Sequence, residues 1–284
     1  MKVIGIYVLY NPDIEYLRKS LSQALKMLDR VILIDNSEKE NDDLRSLSMS
    51  EKVDIISMEE NVGIARALNV ACKTAISLNY DWAITFDQDS IPDDSFIDEY
   101  EYFLSTTDVL FVGLLCPLYK LDAGDGVEKK KCTMEIDSAI TSGSLMNLKA
   151  YSAIGGFKEE LFIDSVDTEY SWNLRAHGYK IYQLCNLVLE HHLGEHPYTV
   201  KLLKKTITIT NHNYLRCYYI TRNSLKISRD YRNILLDDTC RYKKKWLKLF
   251  IKVILFEKDK FRKIRSIYYG ILDFKKDVYG KYNH

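Results

Sequence analysis

The sequence has little that would point to a disordered, membrane-spanning or nucleic-acid-binding protein. Proline occurs only 4 times in 284 residues while tyrosine occurs 21 times, and this composition argues against disorder. No apolar run is long enough to span a bilayer. The formal net charge is zero, so no overall electrostatic field favours nucleic acid as a partner. The length is sufficient for one large domain with an appendage.

Cysteine is also sparse, and its spacing lacks a metal-binding or redox pattern. The six cysteines form no Cys-x-x-Cys pair and are scattered at positions 72, 116, 132, 185, 217 and 240. This pattern predicts reduced, mostly packed thiols in a cytoplasmic protein and argues against a zinc site. The apolar residues 3–10 stop at Asn11-Pro12 without a small-residue cleavage pattern. We therefore interpret them as a first strand rather than a signal peptide.

Strand and helix patterns alternate through the first third of the chain. Short apolar runs predict strands, and leucine-rich or alanine-rich segments with helical periodicity predict helices between them. The predicted strands are Val3–Tyr10, Val31–Ile34, Val53–Ser57 and Trp82–Phe86, and the predicted helices are Glu15–Leu28 and Ile64–Leu78, with a loop and short helix over Asn41–Ser50. This order predicts an α/β fold with a parallel sheet and right-handed crossovers.

Polar side chains follow each of these strands. They include Tyr10-Asn11, Asp35-Asn36, Glu60-Asn61 and Asp87-Gln88-Asp89. Because parallel strands place their carboxyl ends at one edge of a sheet, these side chains are expected to meet where a nucleotide binds. The first crossover lacks G-x-G-x-x-G, and no P-loop motif occurs, so a dinucleotide fold and a P-loop enzyme both lose support.

Among the polar residues at this edge, Asp87 and Asp89 point most directly to a specific chemistry. Two hard oxygen ligands after a buried strand can hold a divalent metal against a phosphate. The alternative is that these acids form a turn that only caps the following helix. An isolated Asp-x-Asp motif does not distinguish a metal site from such a turn.

The second half of the chain continues with mixed elements and a second acidic cluster. Predicted elements are a helix at Ser95–Leu104, a strand at Val109–Cys116, an exposed hairpin or loop at Lys120–Cys132, a turn and strand within Ala139–Asn147, a sharp turn at Gly155-Gly156, a helix at Tyr170–His177 and a strand at Lys180–Cys185. The acidic cluster comprises Asp164, Asp167 and Glu169 and precedes the last of these helices.

A basic segment follows near the end of the sequence. Residues 241–263 contain many lysines and arginines against only Glu257 and Asp259, with aromatic and aliphatic residues interleaved at roughly helical spacing. This pattern is typical of an amphipathic helix that docks on an anionic membrane surface. The alternative is a solvated helix packed on the catalytic domain.

Four motifs in order resemble a known family. They are Val8-Leu9-Tyr10-Asn11-Pro12, Ile34-Asp35-Asn36-Ser37, Asn61-Val62-Gly63-Ile64-Ala65 with Ala67-Leu68-Asn69, and Phe86-Asp87-Gln88-Asp89-Ser90. Together they resemble family 2 inverting glycosyltransferases of the GT-A fold. Asp-Gln-Asp-Ser with the later segment Phe162–Glu169 looks most like the bacterial rhamnosyltransferase branch.

The resemblance covers about residues 2–223 and implies a division of the chain. Residues 1–223 would form a GT-A catalytic domain, a mostly parallel Rossmann-like sheet flanked by helices. Its nucleotide-sugar half would span about 1–115 and its acceptor half about 116–223. Residues 224–284 would form a basic helical extension.

The resemblance also implies a divalent cofactor, Mg²⁺ or Mn²⁺, which would neutralise the leaving diphosphate. Asp89 would be the direct metal ligand, while Asp87 would contact ribose or a metal-bound water, although these two roles are interchangeable. His191, within His191-His192-Leu193-Gly194, would be a third metal contact, with His192 as the alternative and a structural histidine as the competing interpretation.

Asp167 aligns with the catalytic aspartate of the family. A sugar hydroxyl is barely acidic, so a carboxylate must accept its proton as the oxygen attacks. Asp164 and Glu169 compete for this role as general base. The competing interpretation is that all three acids form the first turn of the following helix, where the helix dipole favours negative charge.

The remaining implied contacts are with the nucleotide sugar and the acceptor. Asp35 would accept the ring N–H of uracil or thymine, unless it forms an Asx-turn. Other predicted donor contacts are Tyr10, Asn11, Asn36, Asn61, Asn69, Gln88 and Arg222, with helix capping as the alternative for Asn61 and a solvated charge for Arg222. Ser142, Gly143 and Phe157 are predicted on the acceptor side, with core packing as the alternative for Phe157.

The function that this resemblance implies is transfer of L-rhamnose from dTDP-L-rhamnose to a polysaccharide or lipid-linked glycan. Such an enzyme would act in cell-surface polysaccharide synthesis, in the cytoplasm or on the inner face of a bacterial membrane, without nucleic acid. Alternatives are transfer of galactofuranose, galactose or glucose from UDP. Less favoured are a sugar-nucleotide nucleotidylyltransferase, which normally begins with a glycine-rich basic loop absent from residues 3–13, and a catalytically inactive binding module.

Overall fold

The computed structural model describes residues 1–39, 42–45, 47, 51–121, 132–191, 198–202 and 205–284. The chain forms two compact units. The first comprises Met1–Glu159 and Asp167–His191, and the second comprises Glu160–Val166 and His192–His284.

An eight-stranded sheet forms the centre of the first unit. Its strands are β1 (Val3–Leu9), β2 (Val31–Asp35), β3 (Val53–Ser57), β4 (Trp82–Asp87), β5 (Val112–Leu121), β6 (Thr133–Glu135), β7 (Ser144–Asn147) and β8 (Lys180–His191). Their order in the sheet is β3-β2-β1-β4-β7-β5-β8-β6. The four strands predicted from the first third of the chain pair in parallel, as expected. β7 is antiparallel to β4 and β5, whereas β5 and β8 are parallel and β6 is antiparallel to β8.

Among the described residues, six α-helices belong to this unit. They are α1 (Ile14–Met27), α2 (Asp42–Arg45), α3 (Ile64–Ser77), α4 (Phe96–Ser105), α5 (Leu148–Ala153) and α6 (Val166–Ala176), of which the first residue of α6 is counted with the second unit. Buried faces of the amphipathic helices α1 and α3 contribute Leu17, Leu21, Ala71 and Ala75 to the interior. All five residues of β2 are buried, which explains its uninterrupted apolar sequence. The mixed α/β architecture is therefore confirmed.

Several predicted boundaries differ from the structure; strands β5 and β8 end later than predicted, at Leu121 and His191, and two elements begin at a different residue. Val109–Phe111 form a 3-10 turn with exposed side chains, and the strand begins only at Val112. The carboxylate of Asp108 accepts a hydrogen bond from Leu110 N at 3.1 Å and stabilises this turn against extension. Helix α6 begins four residues earlier than predicted, because the acidic residues form its first turn. Most of the hairpin or loop predicted at Lys120–Cys132, residues 122–131, lies outside the described residues.

The prediction of uniformly reduced cysteines is wrong. Cys132 and Cys185 form a disulfide with a Cα–Cα distance of 5.3 Å. The pairing of β6 with β8 brings them together, and Cys185 N donates to Cys132 O at 2.9 Å. Because the two cysteines are 53 residues apart in the sequence, their spacing alone does not predict the disulfide. Of the free cysteines, those at 72, 116 and 217 are buried as predicted, whereas Cys240 is exposed.

In the part of the second unit that the structure describes, a hairpin and four α-helices accompany the short segment Glu160–Val166. The hairpin pairs β9 (Tyr198–Leu202) with β10 (Lys205–Ile209), and the helices are α7 (Tyr214–Asp230), α8 (Leu236–Tyr242), α9 (Lys245–Phe256) and α10 (Lys260–Lys275). Every residue from Cys217 to Ser228 in α7 is buried. α10 crosses α7 closely at Gly270, where a Cβ atom would approach Tyr218 O to 2.8 Å. The helical character predicted for the extension is confirmed.

The predicted domain boundary at residue 223 falls inside α7. The functional division into a catalytic domain and an extension remains a prediction. Within the described residues, the helices lack the combination of length and hydropathy that a membrane crossing requires.

Candidate active site

The carboxyl ends of β1, β2, β3 and β4 lie at one edge of the sheet, as predicted. Leu9 pairs with Asp35 on β2, and Val8 pairs with Asp87 on β4. Asp35 and Asp87 are thus separated by two strand spacings, or about 10 Å. Such an edge is the usual ligand-binding position of an open α/β sheet.

Hydrogen bonds from side-chain amides connect the loops at this edge of the sheet. Gln88 accepts from Tyr10 N at 2.8 Å and donates to Tyr10 O at 3.2 Å, so it bridges the ends of β4 and β1. Asn36 donates to Asn61 at 3.2 Å and accepts from Val62 N at 2.9 Å. Gln88, Asn36 and Asn61 therefore shape the edge through contacts with the protein, and their predicted contacts with the nucleotide remain predictions.

Three further predicted donor residues lie in the same loops. Asp35 is only 5% exposed, and its Oδ1 accepts from Ser37 N at 3.1 Å, which is the Asx-turn considered as an alternative. Tyr10 is 45% exposed, and Asn11 adopts a left-handed backbone with φ of 45°. Asn61 accepts from Gly63 N at 3.0 Å at the start of α3, which fits its alternative role near a helix cap.

Three carboxylates gather at the end of β4. Burial, followed by the charges of Asp89 and Asp167, raises the pKa of Asp87 to about 7. Burial, with smaller contributions from Cys116 and from the charges of Asp87 and Asp167, raises the pKa of Tyr119 well above its ordinary value. Asp87 and Asp167 are far apart in the sequence but close enough to oppose each other's ionisation. The catalytic and metal-binding roles of these carboxylates remain predictions.

The turn at Ser142-Gly143 supports the backbone of this cluster. Asp87 N donates to Ser142 Oγ at 3.0 Å, and Ser142 Oγ lies 2.9 Å from Ser90 Oγ. Gly143 N donates to Thr85 O at 2.6 Å with φ of 72°, a left-handed conformation that glycine adopts without strain. Both residues were predicted on the acceptor side, whereas the described contacts show them supporting the end of β4.

Two of these supporting residues were not predicted. The hydroxyl of Tyr119 donates to Ser142 O at 3.0 Å, and Ser90 contacts Ser142. Ser90 directly follows the Asp-Gln-Asp motif, so its position was a usable signal. Tyr119 had no comparable signal, because its contact depends on the pairing of β5 with β7.

Asp167 lies in the first turn of α6 and is half-buried. Its Oδ1 accepts from Thr168 N at 2.8 Å. The two competing residues differ in environment. Glu169 is only 2% exposed, and Asp164 belongs to the second unit, where it forms an ion pair with Arg216 at 2.7 Å. Asp167 therefore combines proximity to the carboxylate cluster with partial exposure.

Three of the predicted contact residues are buried in structural roles in this conformation, and their contacts with ligands remain predictions. Arg222 is fully buried and donates to the carbonyl oxygens of Glu160, Leu161 and Gly280 rather than presenting a charge to phosphate or solvent. Asn69 is 5% exposed and bonds both N and O of Phe157 at 2.9 Å.

Phe157 itself is 2% exposed and stacks on Tyr170 with ring centroids 4.2 Å apart. Its ring is part of the core, as the alternative interpretation stated, and is not presented to an acceptor sugar.

A divalent metal fits the residues at the end of β4. Asp87 and Asp89 would supply two carboxylate ligands, and a cation would offset both the burial and the neighbouring charges that raise the pKa of Asp87. Mg²⁺ is commonly bound by one or two carboxylates together with substrate phosphates and water. Within the described residues, no group of three or more metal-ligating side chains occurs. His191 ends β8, but its side chain and His192 lie outside the described residues.

A separate pocket opens at the amino ends of β1 and β4. Met1, Trp82, Glu101 and Lys149 are among the residues that line it. It lies at the other end of these strands from the carboxylates and contains none of the predicted site residues.

Residues 6–127 match the family model "Glycosyl transferase family 2". The chain carries a family 2 glycosyltransferase domain. It is therefore an enzyme of the glycosyltransferase class. The matched residues include Asp35, Asp87 and Asp89 but not Asp167, so the role of Asp167 remains a prediction.

The glycosyltransferase is similar to a curated protein and to several solved structures. It is 25% identical over 242 residues to "dTDP-rhamnosyl transferase RfbF" of Shigella flexneri, and the alignment covers 80% of each chain. TarS 1-349 of S. aureus in complex with UDP-GlcNAc matches with a TM-score of 0.63 at 14% identity, covering 98% of this chain and 82% of that one. GalNAc-T7 with UDP, GalNAc and Mn²⁺ matches with a TM-score of 0.62 at 10% identity, covering 98% and 57%. These structures support the GT-A fold assignment.

Proposed function

We propose that this glycosyltransferase transfers L-rhamnose from dTDP-L-rhamnose to a hydroxyl of a polysaccharide or lipid-linked glycan, with inversion at the anomeric carbon. The observation that carries the proposal is the cluster of Asp87, Asp89 and Asp167, in which burial of Asp87 and then the charges of the other two carboxylates raise the pKa of Asp87 to about 7. Two of these carboxylates lie at the end of β4, on the proposed nucleotide-binding edge, and the third comes from the first turn of α6.

The donor binds along the edge formed by β2, β1 and β4. Asp35 lies about 10 Å from Asp87, two strand spacings away, a separation suited to a nucleoside with its base at one end and its diphosphate at the other. Asp35 accepts the ring N–H of thymine, while Asp87 and Asp89 hold Mg²⁺ or Mn²⁺. When bound, the metal neutralises charge on the leaving diphosphate.

Asp167 is the general base in this proposal. Its position in the first turn of α6 gives the carboxylate a fixed anchor, because Thr168 N donates to Oδ1 at 2.8 Å. The Asp167 carboxylate accepts the proton of the acceptor hydroxyl as the hydroxyl oxygen attacks the anomeric carbon. Attack opposite the leaving diphosphate inverts the configuration in a single displacement.

The choice of rhamnose rests on the 25% identity to the Shigella flexneri dTDP-rhamnosyl transferase. UDP-linked galactose, glucose or galactofuranose is the nearest alternative donor, since the TarS structure with UDP-GlcNAc shares the fold. The exchange of one donor for another requires only changes in the sugar and base pockets.

The second unit offers a surface for a lipid-linked acceptor. Helix α9 buries Leu249 and Val253, while Leu247, Ile251 and Leu255 are 44%, 47% and 57% exposed. Residues at i, i+4 and i+8 lie on one helical face, and exposed lysines at 244, 248 and 258 accompany this face. An apolar stripe beside lysines fits an anionic lipid surface. We therefore propose peripheral docking on the inner face of a bacterial membrane.

Donor competition tests the proposed reaction. The purified chain with Mn²⁺ is incubated with dTDP-L-rhamnose and with UDP-galactose, UDP-glucose and UDP-galactofuranose, and nucleotide release is measured with a glycan acceptor. We expect turnover with dTDP-L-rhamnose and a product of inverted anomeric configuration by NMR. Release of pyrophosphate from a nucleoside triphosphate would instead indicate a nucleotidylyltransferase.

Substitution of the proposed base provides the second test. Asp167→Asn should lower kcat by about 100-fold or more, since general base catalysis typically contributes that much. Asp137→Asn is a matched control, because Asp137 is an exposed carboxylate paired with Arg175 at 2.9 Å. Undiminished turnover by Asp167→Asn would refute the assignment of Asp167.

A further inference from the structure

The side chain of Asn223 holds a short segment of backbone. Its Nδ2 donates to the carbonyl oxygens of Leu161, Ile163 and Asp164 at 2.9, 2.8 and 2.9 Å. Asn223 is fully buried in the middle of α7. Two N–H groups thus serve three carbonyl acceptors, and the amide makes a dense set of contacts with residues some 60 positions away.

Arg222, the preceding residue, holds the same segment from its other end. Its Nη2 donates to Leu161 O at 3.1 Å and to Glu160 O at 3.3 Å. Its Nη1 donates to Gly280 O at 2.8 Å, and Gly280 N in turn donates to Glu160 O at 2.8 Å. The final segment of the chain is therefore part of the same network.

The guanidinium of Arg222 is fixed by its surroundings. It lies 5.1 Å from the ring centroids of Tyr218 and Tyr219 and 5.6 Å from that of Tyr279. Its Nε also donates to Asn223 Oδ1 at 3.0 Å, so the two side chains orient each other. Rotation of either side chain would break contacts of both.

The segment that they hold has an unusual backbone. Phe162, Asp164 and Ser165 have φ of 66°, 63° and 67°, in the left-handed region that residues with a Cβ seldom adopt. Such a backbone conformation is strained for these residues and persists only where the surrounding contacts enforce it. Hydrogen bonds from Arg222 and Asn223 to the carbonyl oxygens of residues 160, 161, 163 and 164 hold the segment in this conformation. The next residue, Val166, begins α6, and Asp167 follows it.

We propose that Arg222 and Asn223 are positioning residues for the catalytic carboxylate, acting through the segment Glu160–Ser165. This inference rests on the proposed role of Asp167 as general base. The segment is joined to Asp167 through a single intervening residue, so its backbone fixes where the first turn of α6 begins. The contacts of Gly280 extend the support to the final segment of the chain.

Asn223→Asp tests the proposal with minimal change in shape. The variant retains an oxygen for Arg222 Nε but places a carboxylate against three carbonyl oxygens. We expect kcat to fall by about 100-fold, because displacement of a catalytic group by about 1 Å can cost that much. The dissociation constant of dTDP with Mn²⁺, measured by calorimetry, should stay at the wild-type value, since its proposed ligands follow β4.

Thr221→Val is the matched control. Thr221 is equally buried in α7, and its hydroxyl donates to Cys217 O of the same helix at 2.7 Å. The melting temperature of both variants is measured by calorimetry. A positioning role predicts that Asn223→Asp loses kcat while Thr221→Val retains it, even if both melt at a lower temperature. Equal kcat values per folded molecule in Asn223→Asp and wild type would overturn the proposal.

Deletion of residues 280–284 covers the case in which Asn223→Asp does not fold. It removes the Gly280 contacts with Arg222 and Glu160 and leaves Asn223 unchanged. We expect a smaller loss of kcat, again with dTDP binding retained, and wild-type kcat would refute the proposal. Asp167→Asn separates this inference from the proposed function. If Asp167→Asn is active, the base assignment fails, whereas an inactive Asp167→Asn with a fully active Asn223→Asp overturns only the positioning role.

Discussion

Arg216 holds the carboxylate of Asp164 in a forked ion pair. Nη2 lies 2.7 Å from Oδ1, and Nε donates to Oδ2 at 3.3 Å. The Asp164 side chain is 7% exposed, so this pair is largely shielded on the carboxylate side. Because one guanidinium engages both oxygens of Asp164, we expect Asp167 rather than Asp164 to act as the base.

Asp164→Asn should therefore lower stability more than it lowers catalysis. Asparagine tolerates the left-handed backbone at this position, so the segment keeps its path while the ion pair is lost. We expect unfolding free energy to fall by about 1–2 kcal/mol, because a charged hydrogen bond is removed from a partly exposed pair. Urea denaturation measures this change. A loss of kcat as large as that of Asp167→Asn would contradict the division of roles.

The raised pKa of Asp87 predicts a pH-dependent metal affinity. Burial and the charges of Asp89 and Asp167 raise this pKa to about 7, so Asp87 is increasingly protonated as the pH falls below neutrality. Because a metal binds the ionised form, the Mn²⁺ dissociation constant should increase about tenfold per pH unit below the pKa. Titration calorimetry at several pH values tests this, and Asp87→Asn should abolish the dependence.

The same shift makes a prediction for the metal-free protein. A carboxyl whose pKa is higher in the folded than in the unfolded state binds more protons when folded, so stability falls as the pH rises from about 4 to about 7. Asp87→Asn removes the repulsion from Asp89 and Asp167 and should stabilise the metal-free protein at pH 8 by at least ~1 kcal/mol. Thermal melts with EDTA measure this. A destabilised Asp87→Asn would show that repulsion does not dominate.

Asn69 should matter for stability and not for nucleotide binding. Its side chain bonds N and O of Phe157 and accepts from the hydroxyl of Tyr151 at 2.9 Å, all in buried surroundings. Asn69→Ala leaves these groups unpaired and should cost about 2–4 kcal/mol of unfolding free energy. The dTDP dissociation constant of the folded fraction should be unchanged. Weakened dTDP binding would restore the ligand role first predicted for Asn69.

Replacement of Leu247, Ile251 and Leu255 by serine tests the membrane surface on α9. The triple variant should lose cosedimentation with vesicles containing phosphatidylglycerol, since three exposed apolar contacts are removed while the lysines remain. Leu110→Ser with Phe111→Ser is the control, as these side chains are also exposed, at 77% and 56%. Binding that is equal on neutral phosphatidylcholine vesicles, or unaffected in the triple variant, would refute this surface.

The sequence by itself determined the parallel half of the sheet and the edge that carries the site. Strands such as Val31–Asp35 are buried on both faces, so their apolar runs are visible without a structure. Parallel strands place their carboxyl ends together, so Asp35 and Asp87 could be assigned to one edge from local patterns alone. Asp167 was found by resemblance, and its proximity to Asp87 appeared only in the folded chain.

Only the tertiary structure decided which polar and aromatic residues are buried. Arg222, Asn69 and Phe157 each have a side chain suited to a ligand, but packing against distant residues encloses them. The disulfide between Cys132 and Cys185 likewise depends on the pairing of β6 with β8. Burial and long-range pairing arise from contacts between residues far apart in the sequence, and no local pattern of residue types encodes them.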